Sequence, residues 1–219
     1  MTPAIRSKLL RVHKNYQRQN ILVTRNAMND AQFAQIKRKL LIFCTKMPEN
    51  LTPHEKALLL YRVVTECVQY NHNEKDNDLR FTYASAMLTG TAVCMGISEI
   101  LFVLYRLCGI DCRVVIGCIT GSKDHHAWLQ VRLPDENGCM TTYHMDPTWD
   151  LHRSRYGSYT YYLKSDAYMQ AHKHHWLPER YDVCPKSCHY KPNLDPRLVA
   201  QMCAEFERMY SPNRKYYMG

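Results

Sequence analysis

The sequence predicts an α+β domain with helices packed on an antiparallel sheet, and three observations carry that expectation. Apolar residues recur at helical spacing in the first third of the chain and again after position 94. Two runs with strand character, about 126–133 and 139–146, flank Pro134-Asp135-Glu136-Asn137-Gly138, a good hairpin loop. Helices come first and strands follow, without the alternation of a doubly wound sheet. With 219 residues and 46% hydrophobic content, the chain is long enough for one core with a helical appendage. It divides into an N-terminal helical segment, 1–48, a core, 49–170, and a C-terminal extension ending in a helix, 171–219.

Taken in order, residues 1–47 read as helical and amphipathic. Asp30 can cap a helix whose apolar positions Phe33, Ile36, Leu40 and Phe43 recur at three and four. Thr52-Pro53-His54-Glu55 is a strong helix start: Thr52 is the N-cap, Pro53 fits the first turn and Glu55 completes a capping box. Leu59, Leu60, Val63, Val64, Cys67 and Val68 form the buried stripe of that helix. After the polar stretch Asn71 to Asp78, residues 81–93 read as irregular. A helix follows from Cys94, with Ile97, Ile100, Leu101, Leu104, Leu107 and Cys108 on one side and Gly109 to end it. Cys112 to Ile119 is rich in β-branched residues and reads as a buried strand. Gly121 to Asp124 turn the chain into the hairpin. Tyr159 to Leu163 suggests another strand, 166–194 carries no clear pattern, and Asp195-Pro196 opens a last helix with Leu198, Val199, Met202, Cys203, Phe206 and Met209 inward.

The formal net charge is +9, which favours acidic partners. The basic residues are scattered, apart from Arg6, Lys8, Arg11, Lys14, Arg18 and Arg25 and the Lys37–Lys39 cluster. They read as a solvated face, and no nucleic-acid-binding motif accompanies them. Ten cysteines sit mostly inside apolar runs, as free buried thiols do in a reducing compartment. No signal-like or membrane-spanning apolar run is present, so a cytoplasmic location is expected. Oligomeric state is left open.

Cys94 is singled out by its place at a helix start, where unpaired backbone N–H groups favour thiolate over thiol and can hold an oxyanion. The hairpin supplies its partners. A loop centred on Glu136 sets Leu133 against Cys139 and His126 against Asp146, within reach of an imidazole–carboxylate hydrogen bond. Such a carboxylate fixes the imidazole tautomer and stabilises the imidazolium. His125 is the competing base, but alternation puts only His126, with Trp128 and Gln130, on the face that Asp146 shares.

These blocks resemble a known family. Gly90-Thr91-Ala92-Val93-Cys94-Met95-Gly96-Ile97-Ser98, followed by Leu107-Cys108-Gly109-Ile110-Asp111-Cys112-Arg113-Val114-Val115, is similar to the nucleophile block of the transglutaminase-like superfamily. His126-Ala127-Trp128 resembles its His-Ala-Trp block, and Tyr143-His144-Met145-Asp146-Pro147-Thr148-Trp149-Asp150 its Asp-Pro-Thr-Trp block. Tyr161-Tyr162-Leu163-Lys164-Ser165-Asp166 is similar to a segment of bacterial members. The resemblance spans about residues 52–170. It implies a papain-like, transglutaminase-like core with nucleophile Cys94, base His126 and orienting Asp146, and Trp128 and Trp149 walling the groove. It implies a cysteine peptidase or amidohydrolase acting on a protein or peptide substrate. The alternatives are a protein-glutamine transglutaminase with an amine acceptor and a non-catalytic binding module. Met95 departs from the Gln or small residue often found after the nucleophile, which bears on substrate preference. Tyr70 and Tyr83 lie upstream as possible oxyanion donors and are not assigned. No cofactor or metal is expected: His172, His174, His175, Cys184, Cys188 and His189 invite a zinc site, but their spacing completes no four-ligand pattern.

Overall fold

The computed structural model describes residues 30–73, 78–122, 124–152 and 159–210. The helical expectation for residues 1–29 lies outside them. Helix α1, Asp30–Thr45, buries Ile36, Leu40 and Phe43 but leaves Phe33 43% exposed, one turn beyond the core. Helix α2, Pro53–Cys67, starts as expected. Thr52 Oγ1 accepts the Glu55 N–H at 3.2 Å, and a Glu55 carboxylate oxygen accepts the Thr52 N–H at 2.8 Å. This reciprocal pair satisfies two of the unpaired donors of a helix start, and caps of this kind are worth about 1 kcal/mol.

Residues 69–92 hold more structure than the pattern suggests. Strand β1, Gln69–Tyr70, pairs in parallel with β2, Thr91–Ala92. Between them lie a 3₁₀ turn, Asp78–Phe81, and helix α3, Tyr83–Thr89. Seven residues give no readable helical period, and Thr82 spends its hydroxyl on the Leu79 carbonyl rather than capping. Gly90, at φ +72°, ends α3 in the left-handed conformation that glycine adopts without steric cost.

Helix α4, Cys94–Leu107, is the central helix. A four-stranded antiparallel sheet follows, β3 Cys112–Ile119, β4 His125–Pro134, β5 Met140–Met145 and β6 His174–His175, in the order β5-β4-β3-β6. Helix α5, Asp166–Ala171, precedes β6, and α6, Pro196–Glu207, behind the Asp195 N-cap, is the last described helix. Ile97, Ile100, Leu101 and Leu104 of α4 share one buried core with Leu129, Val131, Leu133, Tyr143 and Met145 of the sheet, enclosed by α1, α2 and α6. Leu107 stays 42% exposed at the end of α4. A smaller cluster, Val115, Trp128, Tyr161, Met169 and Trp176, covers the opposite face.

The hairpin register differs from the expected one by two residues. Leu133 faces Thr141 rather than Cys139, and the ladder ends at Leu129 and Met145, short of His126. The loop is Asp135–Cys139, because the Asp135 carboxylate accepts the N–H groups of Asn137 and Cys139, both at 2.9 Å, with Gly138 left-handed. A two-residue shift preserves which face each side chain takes, so His126 and Asp146 still meet, diagonally across the end of the ladder.

Tyr159–Leu163 is not a strand. The Asp150 carboxylate takes the N–H groups of Thr160 and Tyr161, at 2.9 and 2.8 Å, which a ladder would otherwise use. Leu163 then turns through φ +54°. Segment 166–194, unreadable in the sequence, supplies α5, β6 and a 3₁₀ turn at Pro178–Arg180.

The sheet is closely packed at Gly117, opposite His126 on β3. A β-carbon there would overlap both the His175 carbonyl and the Trp128 ring. Gly117→Ala is therefore expected to cost about 1–3 kcal/mol by overpacking. Thermal unfolding of the variant checks this.

Candidate active site

Cys94 is the first residue of α4, behind an N-cap, Val93, that offers no side-chain oxygen to the helix end. Two contacts fix its position. The Val93 N–H donates to the Arg80 carbonyl at 3.0 Å. Gly96 presses against the backbone, since a β-carbon there would sit 2.6 Å from the Thr82 carbonyl oxygen. One turn on, the buried Ser98 hydroxyl donates to the Ala127 carbonyl at 3.0 Å, pinning α4 to β4 beside His126.

The structure brings Cys94, His126 and Asp146 together. The Cys94 sulfur lies 4.0 Å from the His125 carbonyl oxygen, and its charge acts on the neighbouring His126 ring. His125 itself is exposed on the other face of β4, so it meets Cys94 through its backbone. His126 is buried, and its Nε2 stands 2.6 Å from Asp146 Oδ2. Asp146 follows β5 directly and is fully buried. Its Oδ1 accepts the N–H groups of Thr148 and Trp149 at 3.0 and 3.2 Å.

The sequence did not single out the next partner. His174 Nε2 lies 2.9 Å from the same Oδ2, so two imidazoles share one carboxylate oxygen. No local spacing announces this contact, because β6 reaches Asp146 by pairing with β3.

Burial alone would push His126 towards neutrality, but the Asp146 charge, its hydrogen bond and Cys94 outweigh that and raise it to about 10. Burial works against the charge on Asp146 as well, yet His126 and His174 hold its carboxyl well below the usual range. Close by, burial lifts Asp150 to about 6 against the bonds it accepts from the Tyr161 N–H, the Tyr61 hydroxyl and the Thr160 N–H. Of the two upstream tyrosines, Tyr70 lies where a charge on Cys94 acts on its phenol, whereas Tyr83 faces Glu99.

The two tryptophans part company. Trp149 is half-buried with its ring beside His126 and His174. Trp128 does not wall a groove: it is fully buried, its indole N–H donating to His144 Nδ1 at 2.9 Å. The room for it comes from Gly117.

The six residues weighed as zinc ligands do not converge. His172 bonds the Tyr168 carbonyl, His175 the Thr120 hydroxyl, and Cys188 points to the Tyr190 carbonyl. Cys184 instead joins His144 and Asp166, and His174 joins His126 and Asp146. In the first group, Trp128 donates to His144 Nδ1, so the ring proton sits on Nε2, the atom that a metal would need. In the second, the 2.6 and 2.9 Å spans are hydrogen-bond lengths. Two ligands on a tetrahedral zinc stand about 3.3 Å apart.

Residues 43–147 match the model of the transglutaminase-like superfamily. The match runs from the end of α1 through Cys94 and His126 to the residue after Asp146, and this chain carries a transglutaminase-like α+β core. No curated protein matches the chain. Among the described residues, no helix is long and apolar enough to cross a membrane.

The raised His126 sets a pH dependence of stability. A group held above its ordinary value of 6.5 contributes fully below that pH and loses its contribution as pH rises through about 10. The thermal midpoint is expected to fall across that window. Asp146→Asn, which removes the charge responsible, should flatten the fall, as thermal scans at stepped pH will read.

Proposed function

We propose that this protein is a thiol-dependent acyl-transfer enzyme that cleaves peptide or side-chain amides, with water as acceptor: a cysteine peptidase or amidohydrolase. One observation carries the reading. A cysteine at a helix N-terminus lies near a buried histidine whose Nε2 is held by a buried carboxylate. The transglutaminase-like core supports it, since the resemblance implies that chemistry at these positions.

In this reading His126 holds the Cys94 proton as an imidazolium, and the thiolate attacks the amide carbonyl carbon. On the same reading the first backbone N–H groups of α4 hold the developing oxyanion. The tetrahedral intermediate collapses as His126 returns the proton to the leaving amine, giving a thioester on Cys94. Water, deprotonated by His126, then releases the acid and restores the thiol. Asp146 keeps its charge throughout and stabilises the imidazolium.

Cys139, exposed on the hairpin loop, provides an internal comparison for Cys94. Iodoacetamide followed by peptide mass mapping should alkylate Cys94 well ahead of Cys139, and His126→Ala should abolish that lead. Peptide-library cleavage should vanish in Cys94→Ala and fall by about 10²–10⁴-fold in His126→Ala. Alkylation of Cys94 no faster than Cys139 would sink the reading in favour of a binding module. Incorporation of an added primary amine into the peptide, in place of cleavage, would reassign the acceptor and make the protein a transglutaminase.

A further inference from the structure

Asp146 is placed between two histidines, and acyl transfer by Cys94, His126 and Asp146 accounts for one of them. His174 is as buried as Asp146 itself. Its ring packs edge-on to Trp149 and Trp128, with centroids 4.6 and 5.1 Å away, and lies 5.5 Å from Tyr161. Its placement is built locally. Helix α5 ends at His172, Lys173 turns the chain through φ +70°, and the two residues of β6 then pair with Cys118 and Ile119. That turn sets the His172 carbonyl 3.0 Å from His174 Nδ1 while Nε2 points at Asp146 Oδ2. Position 174 also lies beyond the segment that matches the family model.

We propose that His174 is a positioning residue of this site: with both ring nitrogens facing acceptors, it donates from Nδ1 to the His172 carbonyl and from Nε2 to Asp146 Oδ2, and so takes a share of the carboxylate charge that would otherwise act on His126 alone. The inference rests on the acyl-transfer reading above. An imidazole held by the undivided charge of a buried carboxylate keeps its proton too well to hand it to a leaving amine. A second donor on the same oxygen weakens that hold without moving the carboxylate, because Oδ1 stays fixed by the Thr148 and Trp149 N–H groups. The pairing thus tunes the proton affinity of His126 through the shared carboxylate. Neighbouring elements add other titratable groups: Cys94 from α4, Tyr61 from α2, His144 from β5, Asp150 and Tyr161 from the loop after it, and His175 on β6 itself. All of these remain in a His174 variant, so a change on His126 reports His174.

The test follows the His126 ring by NMR through its titration in the full chain, in the wild type, His174→Gln and His174→Ala. Glutamine keeps an N–H donor near Nε2; alanine removes it. The His126 midpoint is expected to rise by about one pH unit in His174→Ala, the size expected for a lost charge-assisted partner, and to rise by less in His174→Gln, which keeps a donor but no charge. An unmoved midpoint in His174→Ala, or the same movement in both variants, overturns the proposal. The wild-type spectrum gives a reading that needs no variant to fold: a solvent-protected proton on His174 Nε2 is expected, and a bare Nε2 overturns the proposal. Alkylation of Cys94 against Cys139 in the same samples separates the two claims. Failure of that comparison sinks acyl transfer while the His126 midpoint still decides the role of His174.

Discussion

A carboxylate without exposed surface is the constraint that the rest of this structure answers. Burying an unpaired charge costs several kcal/mol, so Asp146 is tolerable only with its oxygens filled. Four donors fill them: His126 and His174 on Oδ2, and two backbone N–H groups of the turn that follows on Oδ1. Each donor arrives on a different piece of chain logic. His126 comes from the first residues of β4, His174 from β6, and the amides from the Pro147–Trp149 turn that carries the chain off the sheet.

The neighbouring shell repeats the pattern one layer down. Asp150 is satisfied by the Tyr61 hydroxyl and two amides, and His144 stands between the Trp128 indole and Asp166. Interlocked polar networks of this kind hold when every member is paired. Here they explain why the N–H groups of Thr160 and Tyr161 bond a side chain rather than a ladder. They also explain why Trp128 is drawn into the interior.

Much of this was legible in the chain, and what was not has a physical reason. The α2 start was readable because a capping box is a purely local device. The pairing of His126 with Asp146 was readable through parity, which survives a two-residue error in register; the register itself depended on how Asp135 folds its loop. Phe33 and Leu107 fit helical stripes but are covered by none of the described elements. His174 left no trace in the sequence pattern, because its contact is made by a two-residue strand whose partner lies far back in the chain. Its histidine-rich surroundings suggested metal chemistry, and the fold distributes those side chains among separate partners instead.

The complete burial of Asp146 also decides how dissolved ions act on this protein. Mobile ions screen charges in water over roughly 8 Å at physiological strength, but they do so by surrounding them. A fully buried carboxylate enclosed by two imidazoles and two amides admits no counter-ion shell. Added salt therefore acts on the outer surface, where the +9 net charge meets whatever approaches. The electrostatic balance within the site is set by the protein alone.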